Sequence, residues 1–339
     1  DGRRVALHDL QGVDSLVGSP EVSLGSVEGL EVGALRMTPG VLAREVVELE
    51  FTERFGEARR PERPARWDGR PLRVLAWNIW HGGRRKGRDE GVQRVVEVIR
   101  SCEADVVLMQ ETYGSGPRIS GRLGFDYFLR SSNISVMSRF PIVDVHRLAG
   151  GFRFGGVTIE LRPGQRVQAY SLWIHHLPDV GALLESGANA EELAEEDRKT
   201  RGGEIEEILA TLHAHLEANP DVPVIVGGDF NSGSHLDWTE DAAHLPNHQG
   251  RVVSWPVSVS MAEAGFVDAF RAAHPDPVQD PGLTWSPEFP DSHQDRIDYV
   301  YVRGAGWHVE RARVLAVHPR GWPSDHAGVL AELSLATQE

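Results

Sequence analysis

The sequence predicts an α/β protein whose β-sheets mix parallel and antiparallel strands, and two observations carry this prediction. Short apolar runs alternate with amphipathic helical stretches, which is the strand–helix–strand order that joins parallel neighbours in a sheet. Four predicted strands carry polar residues at their carboxyl ends, whereas the last two carry them at their amino ends. If those last two strands run antiparallel to the others, all of these polar groups meet at one edge of the sheets.

The first strand–helix–strand unit begins after residue 71. Leu72–Trp77 is an apolar run that ends at Asn78, and Ala104–Gln110 is a second one that ends at Glu111. Between them apolar residues recur at helical spacing, and Asp89 is placed to cap the helix that they predict. Because such a unit makes its two strands parallel, we expect Asn78 and Glu111 to emerge at the same edge of the sheet.

The middle of the chain repeats this order. The runs Val157–Leu161 and Arg166–Ile174 predict a hairpin, and the second run leads to His176. A predicted helix, Glu204–Leu216, then precedes an apolar strand that leads to Asp229.

Two glycines and two polar residues mark the end of that strand. Gly227 and Gly228 stand directly before Asp229, and we expect them to let the backbone turn tightly. The carboxylate of Asp229 and the carboxamide of Asn231 then follow two residues apart.

The last two predicted strands reverse the pattern. Asp298 stands near the start of the run Asp295–Val302, and Asp325 and His326 directly precede the run Ala327–Leu333. This reversal is what brings the polar groups of distant segments to one predicted site.

Length and composition describe an ordinary globular chain. Its 339 residues suggest one large domain and a small one, and 40% hydrophobic residues are enough for a core. No apolar run approaches the roughly 20 residues of a membrane span. The net charge of −15 argues against broad nucleic-acid binding, although it is compatible with a local basic pocket. No feature indicates an obligate protein partner.

The amino-terminal part of the chain differs from the rest. Residues 1–66 contain short β-type runs separated by Gly, Pro and Ser, which predict a small β-rich module, and end in a charged, proline-containing linker. The catalytic domain is then expected over 67–339. The chain begins at Asp1 rather than at methionine, as after removal of a signal peptide or tag, so we expect a secreted or extracytoplasmic protein, with the cytoplasm as the alternative.

The predicted site combines carboxylates, carboxamides and imidazoles. It comprises Asn78, Glu111, His176, Asp229, Asn231, Asp298, Asp325 and His326. The set has no cysteine and no HExxH spacing, which argues against a structural or protease-type zinc site. Carboxylate and amide oxygens suit Mg²⁺ or Mn²⁺, which polarise phosphoryl oxygens, and imidazoles can bind phosphate or move protons. Metal-assisted hydrolysis of a phosphoester by a directly attacking water fits this set best.

The order of motifs resembles the endonuclease/exonuclease/phosphatase superfamily, which includes deoxyribonuclease I, abasic-site endonucleases, neutral sphingomyelinases and inositol polyphosphate 5-phosphatases. The matching stretches are AWNIW (76–80), LMQET (108–112), IHHL (174–177), GGDFNS (227–232), LTW (283–285), DRIDYVYV (295–302) and SDHAGV (324–329). The resemblance implies a four-layer α/β (α+β) sandwich, in which two mixed β-sheets pack face to face and helices lie outside.

The resemblance also implies roles for the metal-side and water-side residues. Glu111 would be the principal ligand of Mg²⁺ or Mn²⁺, helped by Asn78 and Asp325. Asp229 would orient or deprotonate the attacking water, and Asn231 would hold that water and the phosphate. Whether one or two ions bind stays open at this point.

The remaining roles belong to the phosphate side of the site. His176 would bind non-bridging phosphate oxygens, with His175 as its rival. His326 would be steered by Asp298, for which Asp295 is the rival, and would complete the phosphate- and proton-handling set. Either His326 or the water-side aspartate can be the base.

Three departures bear on the substrate. Inositol phosphatases carry a tryptophan–cysteine pair where this chain has Ser292–Gln294, which argues against that activity. The basic run Arg84–Arg88 is either a phosphate-binding lip or a solvated loop. Trp238, Trp255 and Trp322 are the candidates for the exposed aromatic membrane contact that a sphingomyelinase needs.

The sequence therefore predicts a divalent-metal-dependent phosphodiesterase or phosphatase that acts on a small or medium-sized phosphoester. A nuclease cleaving DNA or RNA is the enzymatic alternative. An inactive family member that serves as a binding module is the alternative from another class. The intact set of acidic, amide and imidazole groups argues against this last reading, because a binding module does not need all of them.

Overall fold

The computed structural model describes residues 67–146, 148, 150–304 and 306–335, and the backbone of three short strands before them. These strands are β1 (Leu7–His8), β2 (Glu21–Val22) and β3 (Leu35–Arg36). The chain divides into one unit of residues 1–3 and 8–61 and another of residues 4–7 and 62–339. In the first unit β2 pairs antiparallel with β3. The predicted β-rich module over 1–66 lies almost wholly outside the described residues and stays a prediction.

The larger unit contains the remaining strands and the helices. Its strands are β4 (Leu72–Asn78), β5 (Val106–Gln110), β6 (Asp126–Leu129), β7 (Ser135–Ser138), β8 (Ile142–His146), β9 (Phe154–Arg162), β10 (Gln165–Trp173), β11 (Val224–Asp229), β12 (Val267–Asp268), β13 (Asp298–Arg303), β14 (Trp307–Leu315) and β15 (Gly328–Leu335). Its helices are α1 (Trp80–Gly83), α2 (Asp89–Ser101), α3 (Gly116–Leu123), α4 (Val180–Glu185), α5 (Ala190–Asp197), α6 (Gly203–Glu217), α7 (Pro256–Glu263) and α8 (Ala269–Ala273). A π-helical turn, Arg198–Gly202, joins α5 to α6.

After residue 66 the strands form two mixed sheets. The first sheet has the order β6-β7-β5-β4-β15-β14, and the second has the order β12-β13-β11-β10-β9-β8. In the first sheet β4 and β5 are parallel, and β15 runs antiparallel to β4. In the second sheet β10 and β11 are parallel, and β13 runs antiparallel to β11. The predicted reversal of the last two site-bearing strands is therefore confirmed.

The two sheets pack face to face, and helices cover their outer faces. Val74 and Leu108 of the first sheet share one buried cluster with Ile225 and Val300 of the second. A second cluster joins the first sheet to α2 and α3, and a third joins the second sheet to α6 and α7. This is the predicted four-layer sandwich, and each buried aliphatic side chain contributes about 1.5–3 kcal/mol to it.

The two glycines before Asp229 serve close packing, and the predicted tight turn at this point is wrong. Gly227 and Gly228 lie inside β11. A Cβ on Gly227 would lie 2.8 Å from a methyl carbon of Leu108 in the opposite sheet, and one on Gly228 would lie 2.0 Å from the carbonyl oxygen of Leu172 on β10. Glycine is required here because the neighbouring backbone and the facing sheet leave no room for a side chain.

Helix α2 starts one residue earlier than a cap at Asp89 would require. Asp89 is the first helical residue, and Arg88 occupies the cap position without a side-chain hydrogen bond. The Asp89 carboxylate forms an ion pair with Arg118 of α3 instead of binding the helix N–H groups. An acidic residue in the first turn still interacts favourably with the helix dipole.

Helices α4 and α5 form an insertion between β10 and α6. The Asn189 side chain caps α5 in a capping box with Glu192. Leu184 and Leu193 of the insertion pack against Trp238 and Trp255 from the long loop after β11. In the part of the chain that the structure describes, no helix is both long enough and apolar enough to cross a membrane.

Candidate active site

Each sheet contributes four of the eight predicted site residues, all at the same edge. The first sheet supplies Asn78 at the end of β4, Glu111 after β5, and Asp325 and His326 before β15. The second sheet supplies His176 after β10, Asp229 and Asn231 at the end of β11, and Asp298 at the start of β13. Direct contacts join the two groups: Nδ2 of Asn78 lies 3.1 Å and Nε2 of His326 lies 3.7 Å from Oδ2 of Asp229.

The Asn78 carboxamide links the acidic groups of both sheets. Besides its contact with Asp229, its Nδ2 lies 3.4 Å from Oε1 of Glu111. Its Oδ1 accepts the backbone N–H of Trp80 at 3.0 Å, which orients the amide nitrogen toward the carboxylates. As a cation ligand Asn78 would use Oδ1, the oxygen that now accepts this N–H group.

Glu111 is held rigidly where β5 ends. Its backbone φ of +54° is rare for a residue other than glycine, and such positions concentrate at functional sites. The side chain of Asn133 accepts its N–H at 2.8 Å, and its own Oε2 accepts the backbone N–H of His81 at 2.7 Å. The carboxylate is thereby fixed at the mouth of the site.

Asp298, His326 and Asp229 form a buried array. Nδ1 of His326 lies 2.9 Å from Oδ2 of Asp298, so the imidazole presents Nε2 to Asp229. The Thr284 hydroxyl accepts the backbone N–H of Asp298 at 3.1 Å and fixes the start of β13. Among the described residues Asp298 Oδ1 has no hydrogen-bond partner.

Burial and charge set the protonation of this array. Burial opposes an imidazolium, but the carboxylates of Asp298 and Asp229 outweigh it and raise the pKa of His326. Burial also raises the pKa of Asp229, and the charge of Asp298 adds to this while His326 opposes it. The arrangement therefore favours a charged histidine beside a carboxylate of increased basicity.

Asp325 lies in an acidic environment. Burial raises its pKa to about 6, the charge of His326 opposes this shift, and the charge of Glu111 adds to it. Two carboxylates that repel each other beside a carboxamide are the oxygen donors that a hard divalent cation accepts.

A second grouping of possible metal ligands exists in the described part of the chain. The carboxylates of Asp229 and Asp298 and the imidazole of His326 offer ligand atoms within 4.8 Å of one another. A protonated His326 cannot bind a metal, because Asp298 occupies Nδ1 and the neighbouring charges favour the imidazolium. The residues that fit a cation are therefore Glu111 and Asp325, with Asn78 beside them.

His176 lies at the exposed rim of the site. Burial and then the neighbouring His175 lower its pKa, and the charge of Glu111 opposes this shift. The rival His175 instead engages the backbone of Leu177 through its Nδ1 at 3.1 Å. His176 stays the predicted phosphate-binding histidine.

Asn231 is held in place through both its backbone amide and its side-chain amide. Its backbone N–H donates to Oδ1 of Asp229 at 3.0 Å, and its Nδ2 donates to the carbonyl oxygen of Ile174 at 2.8 Å. Its φ of +49° is again unusual for a residue other than glycine. These contacts hold the carboxamide beside Asp229.

Two kinds of residue that the sequence offered as functional candidates lie outside the site: the rival aspartate Asp295 and the tryptophans of the loop after β11. Asp295 accepts from Nε1 of Trp238 at 3.2 Å and supports the buried loop, so Asp298 is the aspartate that reaches His326. Trp238 and Trp255 are 0% exposed, so the idea that they are membrane contacts is wrong. Their loop folds back on the insertion, which a sequence without helical or strand periodicity does not reveal.

The sequence reasoning missed the residues that support the site from behind. Asn133 and Thr284 fix the backbones of Glu111 and Asp298. Arg201, from the π-helical turn, donates to the carbonyl oxygen of His176 at 2.9 Å. A buried arginine in a charged helical stretch carries no sequence signal, whereas Thr284 stands in the LTW motif and could have been found there.

Comparison with known proteins agrees with the fold and the motif order. A sequence profile of the Endonuclease/Exonuclease/phosphatase family matches residues 75–326. A Caenorhabditis elegans protein, uncharacterized protein F14F9.5, is 29% identical over 291 residues, which cover 77% of this chain and 90% of that protein.

Solved structures show the same fold. D. rerio TDP2 complexed with a single-strand DNA product has a TM-score of 0.53 at 16% identity, over 78% of this chain and 98% of that one. The human Nocturnin catalytic domain with bound sulfate has a TM-score of 0.51 at 17% identity, over 81% and 96%. This chain belongs to the Endonuclease/Exonuclease/phosphatase family. Members of the superfamily are divalent-metal-dependent hydrolases of phosphoester bonds.

Proposed function

We propose that this protein is a divalent-metal-dependent phosphoester hydrolase that activates a water molecule for attack on phosphorus. The observation that carries the proposal is the buried Asp298–His326 pair, whose imidazole faces Asp229 across the junction of the two sheets. A proton donor and a proton acceptor that lie next to each other, here His326 and Asp229, form the arrangement that general acid–base catalysis requires.

The donor set fits a hard cation. Glu111 and Asp325, with the Oδ1 of Asn78, would hold Mg²⁺ or Mn²⁺. Burial and then the charge of Glu111 raise the pKa of Asp325, and a bound cation would stabilise its carboxylate. When bound, such an ion neutralises charge on the phosphoryl oxygens.

The protein's own side chains supply the remaining chemistry. Asp229 accepts a proton from the attacking water, because its carboxylate is more basic than an exposed aspartate. The His326 imidazolium donates from Nε2 to a phosphoryl or leaving oxygen, while Asp298 keeps Nδ1 protonated and the ring oriented. His176 and Asn231 bind non-bridging phosphate oxygens.

A nuclease is the second candidate, and the basic run Arg84–Arg88 favours it. Arg84 donates from Nε to the carbonyl oxygen of His81, whose own N–H binds Glu111, so this run lies beside the site. Nicking of plasmid DNA at low salt would support this reading. Strong turnover of a small diester without nicking would argue against it.

Hydrolysis of bis(p-nitrophenyl) phosphate tests the proposal. We expect turnover with Mg²⁺ or Mn²⁺, loss of that turnover in EDTA, and its return when the cation is added in excess. Circular dichroism of the EDTA-treated protein checks that the fold survives. Undiminished turnover in EDTA would refute metal dependence, and absence of turnover with every divalent cation would refute the hydrolase proposal for such diesters.

A further inference from the structure

Two indole N–H groups donate to the backbone carbonyl oxygen of His326. Nε1 of Trp322 lies 2.8 Å from this oxygen, and Nε1 of Trp77 lies 3.1 Å from it. The centres of the two indole rings are 4.8 Å apart, so each ring also packs against the other. We call Trp77 and Trp322 the tryptophan pair.

The tryptophan pair joins two segments of the first sheet. Trp77 belongs to β4, directly before Asn78, and is 0% exposed. Trp322 is half-buried and lies in the loop before β15, four residues before His326. The sequence offered Trp322 as a membrane contact, but its indole nitrogen binds the backbone of the active site instead.

The backbone N–H of His326 is held as well. The Ser324 hydroxyl accepts this N–H at 3.1 Å and donates to the carbonyl oxygen of Asn78 at 2.7 Å. Regular pairing of β15 with β4 begins only with Val329 opposite Ala76. The tryptophan pair and Ser324 therefore continue the connection between the two strands to the residue that carries the imidazole.

The position of this backbone determines what the imidazole can reach. Nδ1 of His326 lies 2.9 Å from Oδ2 of Asp298, and Nε2 lies 3.7 Å from Oδ2 of Asp229. Hydrogen bonds weaken steeply with misalignment, and a displacement of about 1 Å in an active site can lower a rate by about 10²-fold. Each N–H group that donates to the His326 carbonyl adds a hydrogen bond that such a displacement must break.

We propose that the tryptophan pair positions His326 for the reaction, because its two indole N–H groups hold the backbone that keeps the imidazole between Asp298 and Asp229. The inference rests on the proposed function, in which His326 is the proton donor. Trp77 and Trp322 are thus positioning residues, which act through the histidine and take no part in bond breaking. Any large ring could serve the packing, so the N–H groups distinguish this role from a structural one.

Steady-state hydrolysis of bis(p-nitrophenyl) phosphate with Mg²⁺ tests the inference in Trp322→Phe, which keeps a ring against Trp77 and removes the N–H group. We expect kcat to fall about tenfold and KM to stay within about twofold, because the proton donor is displaced while the cation side of the site is unchanged. Trp307→Phe is the matched control. Among the described residues the buried Nε1 of Trp307 has no hydrogen-bond partner, and Trp307 lies opposite Leu335 at the far end of β15, so its kcat should be parental. A parental kcat in folded Trp322→Phe, or an equal fall in both variants, would overturn the inference.

Replacement of Trp322 by 3-benzothienylalanine separates the hydrogen bond from the packing. This amino acid has nearly the shape of tryptophan, but a sulfur atom takes the place of the indole N–H group. We expect the same fall in kcat as in Trp322→Phe, together with the parental unfolding midpoint. A parental kcat would overturn the inference, because the ring alone would then be sufficient.

A proton NMR spectrum tests the positioning of His326 without turnover. In ¹⁵N-histidine-labelled protein we expect the Nδ1–H group that donates to Asp298 to resonate far downfield, and His326→Gln identifies this resonance by its loss. The resonance should shift in Trp322→Phe and stay unchanged in Trp307→Phe. An unchanged resonance in Trp322→Phe would also overturn the inference. If the resonance shifts in Trp322→Phe alone while the parent protein hydrolyses no phosphoester, the proposed function is refuted and the positioning of His326 stands.

Discussion

At the scale of single residues, the proposed chemistry of the site depends on the proton that His326 holds on Nδ1. His326 lies between two carboxylates, and Asp298 is the one that bonds its Nδ1 at 2.9 Å. Because this bond fixes both the ring orientation and the proton on Nδ1, Nε2 must face Asp229. We therefore expect Asp298 to act through the histidine.

Asp298→Asn should lower kcat by about 10²–10⁴-fold, because a carboxamide can neither hold the imidazolium nor fix its tautomer. The measurement is steady-state hydrolysis of bis(p-nitrophenyl) phosphate, with the unfolding midpoint recorded for each protein. Asp291→Asn, on an exposed part of the preceding loop, is the control and should keep the parental rate. An Asp298→Asn rate within about twofold of the parent would remove Asp298 from the mechanism.

At the scale of elements, a buried ion pair anchors the segment after β10 that carries His176. Arg201 is 1% exposed and pairs with Asp197, one turn before it, at 3.4 Å. Its guanidinium also donates to the carbonyl oxygens of His175 and His176, both at 2.9 Å. The π-helical turn thus connects the insertion to the rim of the site.

Arg201→Ala should destabilise the fold by about 3–5 kcal/mol, because it leaves the buried Asp197 carboxylate without its partner. Urea denaturation measures the change. The double variant Asp197→Leu/Arg201→Leu removes both charges and should recover part of the loss. Equal destabilisation in both variants would show that the carbonyl contacts of Arg201, and not the ion pair, carry the stability.

A second element-scale feature is the histidine pair between β8 and α6. His146 is buried, its Nε2 lies 2.8 Å from the Thr158 hydroxyl, and its ring lies 4.4 Å from that of His215. Burial and then the charge of His215 lower the pKa of His146 to about 4, and burial lowers the pKa of His215 as well. The charge of Asp144 opposes both of these pKa shifts.

Stability should therefore fall as the pH falls from about 6.5 toward 4, because the unfolded chain binds the proton that the folded His146 excludes. The expected loss from this residue is about 2–3 kcal/mol. His146→Gln can keep the bond to Thr158 and should flatten the dependence of the free energy of unfolding on pH. His213→Gln is an exposed substitution on α6, the helix that carries His215. It should leave the slope of the free energy of unfolding against pH unaltered. The same slope in all three proteins would contradict this account.

At the scale of the whole molecule, the sequence predicted the structure well wherever a polar residue stands at the end of a strand whose direction can be inferred. Asn78 and Asp229 are 151 residues apart, yet both end a parallel strand, so the pattern of strand ends predicted their meeting. The reversal at Asp298 and Asp325 was readable for the same reason. Local alternation and polar termini encode direction, and direction fixes the edge at which a side chain emerges.

Features that depend on tertiary contacts between distant residues could not be predicted from the sequence. The roles of Gly227 and Gly228 depend on Leu108 and Leu172, which lie far away along the chain. The burial of Trp238 depends on an insertion whose apolar residues are sparse. The rings of Trp80 and Phe289 meet edge-on, although more than two hundred residues separate them along the chain.

The central claim is that distant segments deliver one cation- and phosphate-handling site, and paired substitutions test it most directly. Glu111→Ala removes the cation side, His326→Ala removes the proton-handling side, and Glu310→Ala on the exposed strand β14 is the control. We expect Mg²⁺-dependent hydrolysis of bis(p-nitrophenyl) phosphate to fall by at least about 10³-fold in each of the first two and to be unchanged in the third. Near-parental rates in folded Glu111→Ala and His326→Ala proteins would contradict the account.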